Sequence, residues 1–420
     1  MNVVNFIIDN ILTQAGIVIG TIALVGLILQ KKSAGEVISG ALKTLLGFSI
    51  ISAGAGIIVG SLLYFGEIFT PAFGLHGVVP SIEAINGIAM TSLGLGRDIA
   101  LTFLGIFVVN LIIARLSPLK YIFLTGQAIL WMATATIVGG HIAGLSGFLL
   151  IAIASIVGGV FAVAMPALGQ PVIRQITGND DIAIGHFCTV GYMAGAGVAK
   201  LVGDKEKSTE DIKLPKAFGF MSDTHISVLV VMAVLFMITA LFAGPDAYDT
   251  GALNFVIYAF MQSIQFTVGV YVLLAGVRMM LGEIVPAFRG IALKVVPGAR
   301  PALDCPVFFP YAPNAVIIGF LTTLVGSIIA MVVLPFAGLA VVIPGVLTAF
   351  FAGGTSGVFN NAVGGRRGAI LGGIFHGFFI SLIPALIVGL LSGAGFGATT
   401  MTDVDVIFAL LIALGLGRLF

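Results

Sequence analysis

The chain has 420 residues, 59% of them hydrophobic and only 9% charged, with a mean hydropathy of +1.18 and a formal net charge of +1. Soluble domains carry about 25% charged residues, so a soluble enzyme of this size is excluded. The near-zero net charge argues against a nucleic-acid partner, and two cysteines, Cys188 and Cys305, are too few for a disulfide framework or a metal cluster.

Apolar runs, punctuated by Gly, Pro and charge, predict membrane helices over residues 11–30, 44–64, 99–116, 121–140, 147–168, 224–243, 252–277, 314–335, 341–358, 368–390 and 404–420. The first residues lack a basic region and a small-residue cleavage site, so no cleavable signal is expected. Three stretches, 66–98, 169–199 and 282–313, mix polar residues, Pro and Gly with apolar ones. Irregular backbone survives at membrane depth only where protein or a water-filled cavity satisfies it, so these are expected to be re-entrant. Nine charged residues crowd between Lys200 and Lys216. The expected fold is an all-α polytopic membrane protein of about eleven transmembrane helices plus re-entrant hairpins.

The sequence also repeats itself. Gly66-Glu67-Ile68 with Pro71-Ala72-Phe73 recurs as Gly282-Glu283-Ile284 with Pro286-Ala287-Phe288, and Val78-Val79-Pro80 recurs as Val295-Val296-Pro297. Gly126 falls opposite Gly345, and the Met165-Pro166-Ala167-Leu168 run returns as Ile383-Pro384-Ala385-Leu386. The offsets are 216, 217, 219 and 218 residues. Such constancy through four landmarks argues against chance likeness between apolar segments. It divides a single membrane domain, 1–420, into halves of about 1–200 and 222–420, joined by a cytoplasmic loop at 200–221. Placing Lys31, Lys32, Arg115, Lys120, the Lys200–Lys216 loop, the Arg278–Arg300 stretch and Arg366-Arg367 in the cytoplasm, with Lys43, Arg174 and Arg418 there or at that interface, accounts for 18 of 19 basic residues and leaves only Arg97 outside. The N-terminus is then outside, the C-terminus is cytoplasmic, and the halves run in opposite directions. Inverted repeats of this kind are the architecture of many transporters, with the site near the midplane. Cysteines placed at positions 3 and 210 are expected to be labelled from opposite sides of the membrane, and labelling of both from one side would overturn the inversion.

An intramembrane carboxylate costs about 2.5–3.5 kcal/mol on insertion scales, so Glu67, Glu83, Glu283 and Asp304 call for a reason. Glu67 and Glu283 are repeat mates and suit a structural task as buried acids, such as capping a re-entrant segment. Glu83 and Asp304 follow their Val-Val-Pro motifs by three and seven residues, near a tip that a ligand reaches. A carboxylate accepts two hydroxyl hydrogen bonds at once, which suits a polyol. His186 offers a donor and an acceptor in an apolar run; a satisfied buried histidine is the plainer alternative. Gln127 and Trp131 share a helix face, where the indole suits stacking on a sugar ring or simple packing. His76, His141, His225 and His376 have no metal-ligand spacing, and no nucleophile–base arrangement stands out. Neither a cofactor, a metal nor a catalytic residue is expected. These residues leave open a proton- or ion-coupled secondary transporter, with Glu83 and Asp304 as its coupling groups.

Leu124-Thr125-Gly126, Ile184-Gly185-His186, Asp211-Ile212-Lys213-Leu214-Pro215, Pro297-Gly298-Ala299, Leu303-Asp304-Cys305, Ala312-Pro313-Asn314-Ala315-Val316 and Ile343-Pro344-Gly345 together form a specific pattern. It resembles the ascorbate-type IIC permeases of the bacterial phosphoenolpyruvate-dependent phosphotransferase system (PTS), from about residue 29 to the C-terminus. The resemblance implies a homodimer in the bacterial cell membrane, surrounded by lipid, with a transport core that moves like an elevator. It also implies uptake of L-ascorbate, or a related sugar acid, sugar or polyol, and phosphorylation by a soluble IIB subunit carrying a phosphocysteine, itself served by IIA. The implied substrate-binding positions are Asp304, His186, Glu83, Gln127, Trp131, Phe187, Gly345 and Val346. At four of them the chain departs from the family. Gln127 stands for a histidine, Trp131 and Phe187 for glutamines, and Glu83 for a tyrosine. These exchanges remove hydrogen-bonding groups and add an acid, which favours a neutral polyhydroxylated solute over an anion such as ascorbate.

Overall fold

The computed structural model describes residues 15–74, 78–212, 224–345, 348–396 and 399–419. The described chain is mainly helical, in the order α1 (Ala15–Leu29), α2 (Ala34–Phe73), β1 (Val79–Pro80), α3 (Ile82–Gly87), α4 (Gly96–Leu116), β2 (Tyr121–Phe123), α5 (Gly126–Ile142), α6 (Gly147–Thr177), β3 (Ala183–Ile184) and α7 (Thr189–Val202). There follow α8 (Thr224–Ala243), α9 (Phe255–Lys294), β4 (Arg300–Leu303), α10 (Pro313–Val333), α11 (Gly354–Gly393), β5 (Thr399–Thr400) and α12 (Val404–Gly417). Among the described residues, five helical segments are long and apolar enough to cross a membrane: Gly96–Leu116, Gly147–Thr177, Phe255–Val272, Pro313–Ala337 and Ala349–Gly393.

The long helices pack in pairs. Helix α2 lies along α9, α10 along α11, α11 along α7, α4 along α6 and α5 along α12. Where α10 meets α11 the facing residues are glycines, and a Cβ at Gly319 would strike the Gly353 carbonyl while one at Gly357 would strike the Ala315 carbonyl. Backbones that close gain dispersion contacts that bulkier side chains would forbid.

The stretches expected to be re-entrant are built differently. Helix α2 runs through Gly66 and Pro71 and closes at Gly74, whose φ of 65° lets its N–H reach the Thr70 carbonyl at 2.9 Å. Glu67 is therefore exposed within a continuous helix and caps no N-terminus. Helix α9 likewise continues to Lys294; Glu283 lies within it, its side chain outside the described residues. Pro71 lies in the last turn of α2, where it frees a single carbonyl, and α9 runs on past Pro286, so neither motif breaks its helix. In 169–199, α6 extends to Thr177 and is followed by β3 and α7. The irregular backbone sits instead in short parallel strands, which the sequence reading missed altogether.

Strands β2 and β3 flank β4, pairing Phe123 with Ala302 and Ile184 with Leu303. In a second group β1 pairs with β5, Pro80 opposite Thr400, and Val78 bridges to Val342. Each central strand comes from one half of the chain and its flanking segments from the other. Their edges are satisfied by side chains: buried Asn110 of α4 donates to the Tyr121 carbonyl and accepts from Phe123 N–H, both at 3.0 Å. Gln170 of α6 donates to the Ile182 carbonyl at 3.2 Å. Burying a strand edge without such partners would leave costly orphan groups.

The loop after α7 is docked rather than loose. Asp204 N–H donates to the Gly364 carbonyl at 2.9 Å, and Arg366 N–H to the Lys207 carbonyl at 2.7 Å. They clasp a break in α11 at Gly365, where φ is 57° and ψ −157°. Only glycine takes that conformation cheaply. Glu210 reaches further and accepts the Ala315 N–H at 3.0 Å, capping the start of α10.

Candidate functional site

Three parallel strands that stop together deliver three segments to one place. After β2 the chain enters α5 through Thr125 and Gly126; after β3 comes Gly185-His186; after β4 comes Asp304. Gly185 is required there, because a Cβ would collide with the Ala302 carbonyl of the neighbouring strand. At the opposite ends of the strands, Arg300 donates to Tyr121 Oη at 3.1 Å and lies 3.6 Å from Asp180. Asp180 also accepts from Arg174, and that hydrogen bond, helped by one from Gln170, holds its carboxyl below the usual carboxylate range.

His186 is the centre of the constellation. Its Nδ1 lies 3.1 Å from Asp304 Oδ1 and its Nε2 3.2 Å from Asp403 Oδ1. His186 and Asp403 are buried, whereas the Asp304 side chain is 37% exposed. Asp304 Oδ1 also accepts the Cys305 N–H at 2.8 Å; among the described residues its Oδ2 takes no protein hydrogen bond. Asp403 Oδ2 accepts from Thr402 Oγ1 at 3.3 Å. Two residues on, Asp405 accepts the N–H groups of Thr189 and Val190 at 2.8 and 3.1 Å, capping α7 from a distant segment.

The other sequence-selected residues lie on several different elements. Gln127, in the first turn of α5, and Trp131, one turn later, are partly buried. Helix α3 packs on the same helix, with Thr134 Oγ1 donating to Asn86 Oδ1 at 2.6 Å. Glu83 belongs to α3, but its side chain lies outside the described residues. Phe187 is turned into the core and stacked on Phe123 with ring centroids 4.3 Å apart. Gly345 sits beside Pro80 of β1, and Val346 is outside the described residues. The geometry thus joins His186 directly to Asp304.

The sequence reading missed Asp403 and Asp405, which are 3% and 0% exposed. One acid just ahead of the apolar helix 404–417 and one in its first turn look like a solvated helix start. The available signal was the repeat itself, because Asp403 lies 217 residues after His186. Donor atoms of His186, Asp304 and Cys305 come within 4.8 Å of one another. Each already has a partner, however: Cys305 Sγ faces Tyr192 Oη at 3.3 Å, and Asp304 Oδ1 takes two nitrogens. The arrangement is a hydrogen-bonded cluster, and its chemical capacity is to accept hydrogen bonds from ligand hydroxyls at an accessible carboxylate.

Residues 10–405 match the family model described as the PTS system sugar-specific permease component. The chain is also similar to the ascorbate-specific PTS system EIIC component of Mycoplasma pneumoniae. The two are 27% identical over 466 residues, which cover 97% of this chain and 70% of that protein.

Proposed function

Since the chain belongs to the family of PTS sugar-specific permease components, we propose that it takes up a polyhydroxylated small solute and presents it for phosphorylation by a separate IIB subunit. The observation that carries this reading is Asp304, with one oxygen committed to the protein and the carboxylate open at the strand ends. Hydroxyl donors suit the remaining oxygen. Phosphoryl transfer needs an in-line acceptor hydroxyl and an activated donor. The chain therefore supplies orientation, and a phosphocysteine on IIB, recharged by IIA, supplies the group transferred. Gln127 and Trp131 complete the solute's surroundings in this reading, with Gly345 beside Pro80 of the second strand group; Glu83 and Val346 are proposed as contacts from the family resemblance alone.

L-Ascorbate is the substrate suggested by the Mycoplasma relative's name. The pairing of one imidazole with two carboxylates in this chain instead favours a neutral sugar or polyol, because a net negative cluster repels an anion. We further read the chain as eleven spans in two inverted halves, working as an elevator-type homodimer with the N-terminus outside. The exchange of central strands between the halves and the meeting of His186 with Asp403 support that reading.

Vesicles containing the protein, with candidate IIB and IIA proteins and a phosphoryl donor, test the function. Phosphorylated solute is expected inside only when IIB is present; accumulation of unmodified solute driven by a proton gradient would favour ion coupling instead. In the same vesicles neutral sugars are expected to compete better than ascorbate. Tight ascorbate binding at neutral pH, undiminished by a panel of neutral sugars, would restore ascorbate as substrate.

A further inference from the structure

We propose that Asp403 is a positioning residue of the solute site: it holds His186 protonated on both ring nitrogens, so that Asp304 keeps one oxygen for the solute. This rests on the reading of Asp304 as the solute-binding carboxylate.

Asp403 and His186 follow different strands, β5 and β3, from different halves of the chain. Backbone ties force them together. Asp405 N–H donates to the Phe187 carbonyl at 3.0 Å, while the Asp405 carboxylate accepts Thr189 and Val190 N–H. Residues 403–405 are thereby locked against residues 187–190, which leaves Asp403 Oδ1 3.2 Å from His186 Nε2. The contact follows from two independent backbone anchors, and the Asp403 side chain is only 5% exposed.

Proton bookkeeping then fixes the roles. Asp304 Oδ1 already accepts the Cys305 N–H, so it is an acceptor, and the Nδ1 facing it donates. A neutral imidazole has only one N–H. Donation from Nδ1 to Asp304 and from Nε2 to Asp403 together requires an imidazolium, which is tolerable in a buried position only between counter-charges. The other titratable groups near the ring are Cys305, Tyr192, whose ring centroid is 6.3 Å away, Cys188 and Asp405. Beyond Tyr192 and Cys188 lies His376, its Nε2 3.9 Å from Cys188 Sγ. Asp405 is occupied by its two backbone donors, and Cys305 by Tyr192. Asp403 alone faces Nε2. Without its charge, the ring loses its second proton as pH rises; the Nε2 proton leaves and the one remaining N–H stays on Nδ1, facing the Asp304 carboxylate. The hydrogen bond from Nδ1 to Asp304 then comes from a neutral ring rather than a cation, so it weakens and holds the carboxylate, and the oxygen meant for the solute, less firmly.

The test uses the full-length protein in lipid nanodiscs with 15N-labelled histidine, read by NMR at pH 6 and pH 8. There are five histidines, and His186→Gln identifies the relevant signals by their loss. In the wild type both ring nitrogens of His186 are expected to remain protonated at both pH values. Asp403→Asn is expected to lose the Nε2 proton at pH 8 and regain it at pH 6, and Asp403→Glu to keep it. Binding of two probes, L-ascorbate and sorbitol, is measured alongside. A probe that binds the wild type is expected to bind Asp403→Asn about tenfold more weakly at pH 8, corresponding to one charge-assisted hydrogen bond, and to recover at pH 6. A bare ring nitrogen in the wild type at pH 8, unchanged histidine signals in Asp403→Asn, or an equal loss of binding at both pH values would overturn the proposal. The wild-type spectrum alone decides should a variant fail to fold. The NMR readout needs no solute, so it fails or succeeds separately from the transport reading.

Discussion

Asp304→Asn is expected to lower solute affinity about ten- to a hundred-fold, because a hydrogen bond to a charged group contributes about 1.5–3 kcal/mol, and to abolish uptake at low solute concentration. The substitution is chosen because it separates binding from folding. Asparagine retains a carbonyl oxygen that still accepts the Cys305 N–H and the His186 Nδ1–H, the two bonds that Oδ1 makes now. His186 keeps Asp403 as its counter-charge. What changes is the open oxygen, which becomes an NH2 donor facing solute hydroxyls whose own protons then find no acceptor. Uptake of radiolabelled solute and the oligomeric state by size exclusion are the paired measurements. Wild-type uptake in a folded Asp304→Asn protein would remove this residue from the site.

The second large effect is on folding. Gly357→Ala and Gly377→Ala are each expected to destabilise the protein by about 1–3 kcal/mol or more, the usual cost of overpacking. At Gly357 a Cβ would meet the Ala315 carbonyl and the Gly319 Cα; at Gly377 it would meet the Thr323 carbonyl. These obstacles are main-chain atoms of α10, so no rotamer change relieves them and the helices must part. Parting them would also stretch the bond from Ser327 Oγ to the Gly377 carbonyl, now 3.1 Å. Gly389→Ala, in the same helix, has nothing within 4 Å of the added carbon, and is expected to be neutral or stabilising by about 0.5–1 kcal/mol through helix propensity. Thermal unfolding in detergent compares the three. Equal melting temperatures for Gly357→Ala and Gly389→Ala would contradict the close crossing of α10 and α11.

What the sequence determined by itself is the membrane class and most of the apolar helices, and it singled out His186 and Asp304, which the fold brings within hydrogen-bond distance of each other. Long apolar runs report their own solvent, because each residue's preference for lipid is local and adds up over about twenty positions. The repeat was also legible, since constant offsets need no structure to be seen. Tertiary structure decided the rest. Strands β1, β3 and β5 span two residues each, too short for any periodicity, and they exist only because a distant segment pairs with them. Pro71 looked like a break but sits in the last turn of α2, where losing one backbone donor costs little. Asp403 and Asp405 read as the polar edge of an apolar run, yet they are buried and hold His186 and the start of α7. Their burial depends on partners more than two hundred residues away, and no local property of the chain records which backbone N–H or imidazole a carboxylate will meet once the halves have closed around each other.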